Sequence, residues 1–304
     1  MRPVPYFDAH CDTVSLCAAD GRSLRRNGGH LDLCRLQHYV NPCQIFALFA
    51  DGGDFAECAR QYGVFRAELT ENGDVAALCR TAEDVRAAHG AGKVAALLSV
   101  EGGELLDGDP AKLETAAAWG VRCVNLTWNH RNALSGSHCD GPDRGLTDRG
   151  REFVREAERL GIWLDVSHLS DAGFWDLAAM ATRPLLATHS DARAVCPHSR
   201  NLTDAMFQTI CDSGGAVGIN LYTPFLGGDR LDDAARHIEH FLDLGGAKHI
   251  CLGGDLDGCD RLPRGIAGVQ DLPRLWEFLA ARGYDDGLLA DIFHNNLFRV
   301  LAGS

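Results

Sequence analysis

Residues 162–190 read IWLDVSHLSDAGFWDLAAMATRPLLATHS. Two apolar runs, IWLDVSH at 162–168 and PLLATHS at 184–190, flank a helical pattern over 171–181. Near-continuous apolar runs separated by a helix point to parallel strands covered on both faces, since a parallel pair needs a crossover connection. Both runs end in a histidine, His168 and His189, where the apolar character stops.

The same unit recurs in both directions along the chain. PYFDAH, QIFALFA, VAALLSVEG and VRCVNLTW precede it, and AVGINLY and HICLGGD follow it, giving eight candidate strands. Helical patterns lie between most of them, at 54–70, 111–119, 147–160, 203–213 and 231–244. Eight such units predict an α/β fold of the (β/α)8 TIM-barrel type, with two C-terminal helices near 271–282 and 285–302. An open doubly wound sheet is the alternative. It usually carries a glycine-rich phosphate loop after its first strand, and HCDTVSL is nothing of that kind. No linker, repeat or low-complexity segment interrupts residues 1–304, so a single domain is expected.

Bulk properties narrow the function. The chain has 304 residues, 46% of them hydrophobic, and a net charge of −13 with only three lysines, Lys93, Lys112 and Lys248. Such an acidic surface disfavours nucleic acid and anionic membranes as partners. The one dense basic stretch, GRSLRRNGGH at 21–30, reads as a solvated loop. No apolar run reaches the roughly 18 residues of a membrane span. The opening MRPVPYFDAH lacks the apolar core of a signal peptide, so a cytoplasmic location is expected. Twelve cysteines contain no Cys-x-x-Cys pair, which removes zinc-ribbon and dithiol redox readings. Cys43, Cys123 and Cys251 lie in or beside apolar runs and read as small core residues in reduced form.

Barrel active sites lie at the C-terminal ends of the strands. Taken in order, those ends carry His10 and Asp12 (first strand), Glu101 (third), His168 (fifth), His189 (sixth) and Asp255 (eighth). In an extended strand His10 and Asp12 point to the same side and Cys11 away. Six ligand-type residues on one rim predict a metal centre. Three carboxylates, two divalent cations and a bridging hydroxide together are neutral, which suits a partly buried cluster. Three histidines favour zinc-like ions over magnesium or calcium, and a central carboxylate such as Glu101 can bridge two of them. Two-metal sites activate water against carbonyl or phosphoryl centres, so hydrolysis is the expected class.

DAHCDT, SVEGG, LTWN..N, LDVSH, THSDARAVCPHSRN and GGDLDG occur in that order. With these motifs the chain resembles the membrane (renal) dipeptidase family of the amidohydrolase superfamily over nearly its whole length; HSRNLTD is the most specific of them. The resemblance implies a two-zinc barrel that hydrolyses small dipeptides through a metal-bridging hydroxide, with a D-residue at the C-terminal position within scope. It implies that His10 and Asp12 bind one ion, His168 and His189 the other, and Glu101 both. Asp255 would sit at the bridging hydroxide as proton acceptor and donor. Arg200, with Asn201 beside it, would meet the substrate carboxylate. A planar guanidinium offers that group two parallel hydrogen bonds. A plain alternative makes Arg200 a surface residue capping the helix near Thr203, while Asp257 reads as a structural residue of the loop after Asp255.

The chain departs from the family at the fourth strand. Members often carry a substrate-carbonyl histidine directly after its threonine. Here Thr127 is followed by Trp128, with His130 two residues on. Trp128 is expected to face the pocket, with His130 as the other candidate for substrate contact. The exported members' signal peptide and lipid anchor are not expected here, and a homodimer remains open. Rival readings are another amidohydrolase acting on small amides or lactones, and a barrel that binds metal without catalysis. A carboxylated-lysine centre is disfavoured because VRCVNLTWN has no lysine.

Overall fold

The computed structural model describes residues 3–303. Nine strands run in chain order: β1 (Pro5–Cys11), β2 (Val40–Leu48), β3 (Ala76–Leu78), β4 (Val94–Val100), β5 (Val121–Asn125), β6 (Trp163–Asp165), β7 (Leu186–Ala187), β8 (Ala216–Ile219) and β9 (Ile250–Leu252). Every pairing is parallel. β1 pairs with both β2 and β9, and β2 pairs with β4, which closes eight strands into a ring. The fold is a (β/α)8 barrel. β3 lies outside the ring and joins only β4, at Ala76↔Val94 to Leu78↔Ala96.

All eight expected strands form. The additional AAL strand is too short and alanine-rich to stand out by β-propensity. Several helices begin at a side-chain cap: Thr147 accepts from the Gly150 N–H at the start of Asp148–Leu160, and Gly161 ends that helix with φ 70°. Phe153, Val154 and Ala157 form its buried stripe. The expected last helix over 285–302 is instead Asp286–Ala290, a π-helical turn Asp291–Asn295, and Asn296–Ala302.

Phe7, Cys43, Ile45, Ala95, Leu97, Cys123, Trp163, Leu186, Ala216 and Cys251, one or two from each ring strand, share one buried apolar cluster with Leu297 and Val300 of the final helix. A second cluster, with Phe46, Leu98, Val124 and Leu164, packs the strands against the surrounding helices. Between Asp8↔Gln44 and Cys11↔Phe46, β1 advances three residues while β2 advances two. That bulge shifts the alternation of β1. Phe7 therefore belongs to the inner cluster, while His10 and Asp12 turn toward the site. Asp8 secures the bulge: its Oδ1 accepts from the His10 N–H and its Oδ2 from the Gly254 N–H, both at 2.9 Å. Burial pushes the Asp8 carboxyl up to about 6, against the pull of those two donors.

Candidate metal centre and active site

The six residues at the strand ends converge. Glu101 Oε1 lies 2.8 Å from His168 Nε2 and 3.3 Å from His189 Nε2, and Oε2 lies 3.4 Å from His10 Nε2. His10 Nε2 is also 3.4 Å from Asp12 Oδ2 and 3.9 Å from Asp255 Oδ1. Three overlapping triads result: His10–Asp12–Glu101, Glu101–His168–His189 and His10–His189–Asp255. Glu101 therefore addresses two groups of ligands, one with each oxygen. His10 Nε2 and Asp12 Oδ1 are buried with no hydrogen-bond partner among the described residues, as expected of groups shaped for a cation.

Neighbours fix the histidine tautomers. Thr188 Oγ1 donates to Asp165 Oδ2, so it accepts from His189 Nδ1–H at 2.8 Å. His168 Nδ1–H donates to Asn129 Oδ1 at 2.8 Å. Both Nε2 atoms then carry lone pairs, and they face each other 3.0 Å apart. Burial pushes the pKa of both imidazoles well below the usual value, and the charges of Arg200 and His10 add to this. Two neutral nitrogens with opposed lone pairs repel unless a cation lies between them and the carboxylate. For His10 burial works against a charge, but Glu101 and Asp12 outweigh it and hold the imidazole pKa well above normal. Burial also raises the Glu101 and Asp255 pKa values, in each case opposed by His10 and reinforced by Asp12. These residues suit a pair of divalent transition ions.

The backbone is held for this purpose. His168 (φ 73°) and Asp255 (φ 54°) occupy the left-handed region, at a cost of the order of 1–3 kcal/mol each. Gly258 passes so close that a β-carbon there would meet Asp12 Oδ2 at 2.1 Å and Asp255 Oδ1 at 2.4 Å. Asp257 is structural: it accepts from the Thr13 hydroxyl and the His30 N–H, and its own N–H donates to His30 Nδ1. Asn220 Nδ2 donates to Asp255 Oδ2 at 3.0 Å, leaving Oδ1 toward His10.

A cavity of about 320 Å³ opens onto the cluster, lined by Asp12, Glu101, His168, His189 and Asp255 and walled by Phe49, Trp128, Asn129, Tyr222 and Phe225. Trp128 stacks at a tilt on Phe49, with ring centroids 4.9 Å apart. Arg200 is buried; Nη1 donates to Ser190 Oγ at 2.7 Å, while Nε and Nη2 have no partner among the described residues. The capping alternative fails, since Thr203 itself caps the helix Asp204–Asp212.

Three expected substrate contacts, Arg200, His130 and Asn201, are not among the residues that line the cavity. His130 is exposed. Asn201 donates from Nδ2 to the carbonyls of Cys196 and Phe225, so it braces the loop that carries Arg200. Asn129, His138 and Asn220 are contacts that sequence reasoning missed. His138 Nε2–H donates to Asn129 Oδ1 at 2.9 Å, and its Nδ1 accepts from the Ser199 hydroxyl at 3.0 Å. Burial pushes its pKa down to about 3, so it is neutral. Asn129 carried two signals, its place in the LTWN..N motif and its position just past a strand end, but neither pointed to its contacts with His168 and His138.

A closed parallel barrel with a histidine–carboxylate cluster at its strand ends defines a metal-dependent hydrolase. The chain belongs to the membrane dipeptidase family, peptidase family M19, whose model matches residues 1–303, and is a metal-dependent dipeptidase. An uncharacterized Klebsiella pneumoniae protein encoded in the pqqA 5′ region is 38% identical over 237 residues, 74% of this chain and 87% of that protein. An uncharacterized Schizosaccharomyces pombe dipeptidase is 33% identical over 68% of this chain, and the match spans about half of the yeast protein's length (52%). A metallopeptidase from Rhodobacter sphaeroides, solved with a phosphinate mimic of the dipeptide L-Ala-D-Ala, superposes with a TM-score of 0.91 at 30% identity, over 98% of this chain and 99% of that one. Among the described residues no helix is long and apolar enough to cross a membrane.

Proposed function

We propose that the chain is a two-zinc enzyme that hydrolyses dipeptides with a free C-terminal carboxylate. The observation that carries this reading is Arg200, a buried guanidinium with two unpaired donor nitrogens beside the acidic cluster. Leaving such donors unmet costs about 1–3 kcal/mol or more. A bidentate carboxylate removes that cost. The small cavity favours a short substrate, and the phosphinate dipeptide mimic bound by the Rhodobacter sphaeroides relative supports the same substrate class.

His10 and Asp12 would hold one ion and His168 and His189 the other, with Glu101 placed to serve both. When bound, the ions activate a water molecule and polarise the scissile carbonyl. Asp255 Oδ1 takes the proton of the attacking water; Asn220 at Oδ2 keeps the carboxylate oriented. Asp255 then returns the proton to the departing amine. Arg200 fixes the carboxylate end, and Trp128 with Phe49 forms an apolar wall for a substrate side chain. Twelve free cysteines suit a reducing compartment, which supports a cytoplasmic assignment. The test is turnover of L,L-, L,D- and D,L-dipeptides by zinc-loaded protein. Hydrolysis of free dipeptides is expected, with C-terminal D-residues accepted; zinc uptake without turnover across the panel would favour a non-catalytic barrel.

A further inference from the structure

Hydrolysis of an amide places negative charge on the former carbonyl oxygen, and a preorganised neutral donor aimed there is among the largest contributions an active site makes. Three neutral donors wall the cavity: Trp128, Asn129 and Tyr222. The Arg261 guanidinium lies over the Tyr222 ring, 6.0 Å from its centroid. The Trp128 ring packs against Phe49. Asn129 is different, because its two amide atoms have separate surroundings. Oδ1 is held between His168 Nδ1 and His138 Nε2, at 2.8 and 2.9 Å. The flipped amide is excluded: it would put an N–H against His168 Nδ1 and force that ring's proton onto the ligating Nε2. Nδ2 thus has no partner among the described residues, and Asn129 itself lines the cavity, one imidazole ring away from His168 Nε2.

We propose that Asn129 is a catalytic residue: its amide N–H donates to the scissile carbonyl oxygen as that oxygen becomes negative, while its own carbonyl holds His168 in the tautomer that ligates through Nε2. Water oxygen bonds to the carbonyl carbon and the C=O π pair moves onto oxygen. The water proton passes to Asp255 and then to the leaving nitrogen as the C–N bond breaks. Asn129 exchanges no proton at any stage. His138, fixed by Ser199 next to Arg200, sets the angle of the amide, so the donor and the carboxylate clamp share one hydrogen-bonded frame. The inference rests on the dipeptidase reading.

Asn129→Asp keeps an acceptor for both imidazoles and removes the donor; Asn129→Ala removes both. With metal content measured by mass spectrometry and assays run at saturating zinc, both variants are expected to lose about 10²–10³ in kcat, with KM changed far less. Affinity for a phosphinate dipeptide mimic, whose tetrahedral oxygens stand where the charge develops, should fall in parallel with kcat/KM. Either variant with wild-type kcat overturns the proposal. So does a loss in Asn129→Asp that follows its metal content and disappears on zinc saturation, because that marks a purely positioning role. A wild-type protein that neither cleaves dipeptides nor binds the phosphinate would overturn the dipeptidase reading itself, before any variant is compared.

Discussion

His168 and His189 meet Nε2 to Nε2 at 3.0 Å with both outer nitrogens already committed as donors, one to Asn129 and the other to Thr188. No proton is left to join the two rings, and Glu101 Oε1 is the third atom at the same point. The opposite oxygen of Glu101 faces His10 and its acidic neighbours. The protein thus builds two cation-seeking corners on one carboxylate.

The corners should empty together when that carboxylate is removed. About two divalent ions per chain are expected. Glu101→Ala should weaken both sites, and His168→Ala mainly one. Metal counts after dialysis decide the matter; a loss of one ion in each variant would remove the bridging role from Glu101.

Gly258→Ala should abolish ordered metal binding without touching a ligand. The new methyl would stand 2.1 Å from Asp12 Oδ2 and 2.4 Å from Asp255 Oδ1, so both carboxylates must move. Circular dichroism is expected to show a folded barrel, and isothermal titration with zinc at least a tenfold loss of affinity, in line with the sensitivity of metal sites to ligand placement. Unchanged zinc affinity would mean that the loop after Asp255 yields freely.

Arg200 should separate free from blocked C-termini. A charge-assisted hydrogen bond is worth about 1.5–3 kcal/mol, or roughly ten- to hundredfold in kcat/KM between a dipeptide and its amide. Arg200→Ala should shrink that preference, and Arg200→Lys should restore only part of it, since an ammonium lacks the planar fork. Equal discrimination by wild type and Arg200→Ala would assign the carboxylate to another residue.

Trp128 and His130 should differ sharply on substitution. Trp128 walls the cavity and packs on Phe49, whereas His130 is exposed away from it. Trp128→Ala is expected to raise KM and change the order of preferred dipeptides with metal content intact, and His130→Ala to have little effect. A large kcat loss confined to His130→Ala would mean that its loop closes over the substrate.

Much of this was legible in the chain, for physical reasons. Apolar runs mark barrel strands because both faces are buried, so all eight ring strands could be found, and ligand-type residues at their ends followed from where barrels place chemistry. The three-residue β3 carries too little pattern to register. The β1 bulge at His10 depends on pairing with β2 and has no sequence signal of its own. His138 and Asn129 meet only because two loops fold together, and Asn201 sits in a specific motif yet braces the backbone. A motif records which residues a site uses, not which atoms face the ligand.

His237 offers a stability test away from the metal ligands. It is fully buried; Nδ1 accepts from the Ala192 N–H at 3.0 Å and Nε2–H donates to the Leu226 carbonyl at 3.1 Å. Burial pushes its pKa down from 6.5 to about 4, partly offset by the Leu226 carbonyl. Between those values the unfolded chain binds the proton and the folded chain does not, so stability falls as pH drops from 6.5 to about 4 and levels off below. At 1.36 kcal/mol per pKa unit the full effect is about 3 kcal/mol. His237→Gln cannot take up that proton. Urea unfolding of metal-free wild type and His237→Gln at a series of pH values should show the wild-type advantage shrinking by up to that amount between pH 7 and pH 4. An advantage independent of pH would mean that the folded protein accepts the proton at Nδ1, and the bond from Ala192 would then contribute nothing to holding the imidazole neutral.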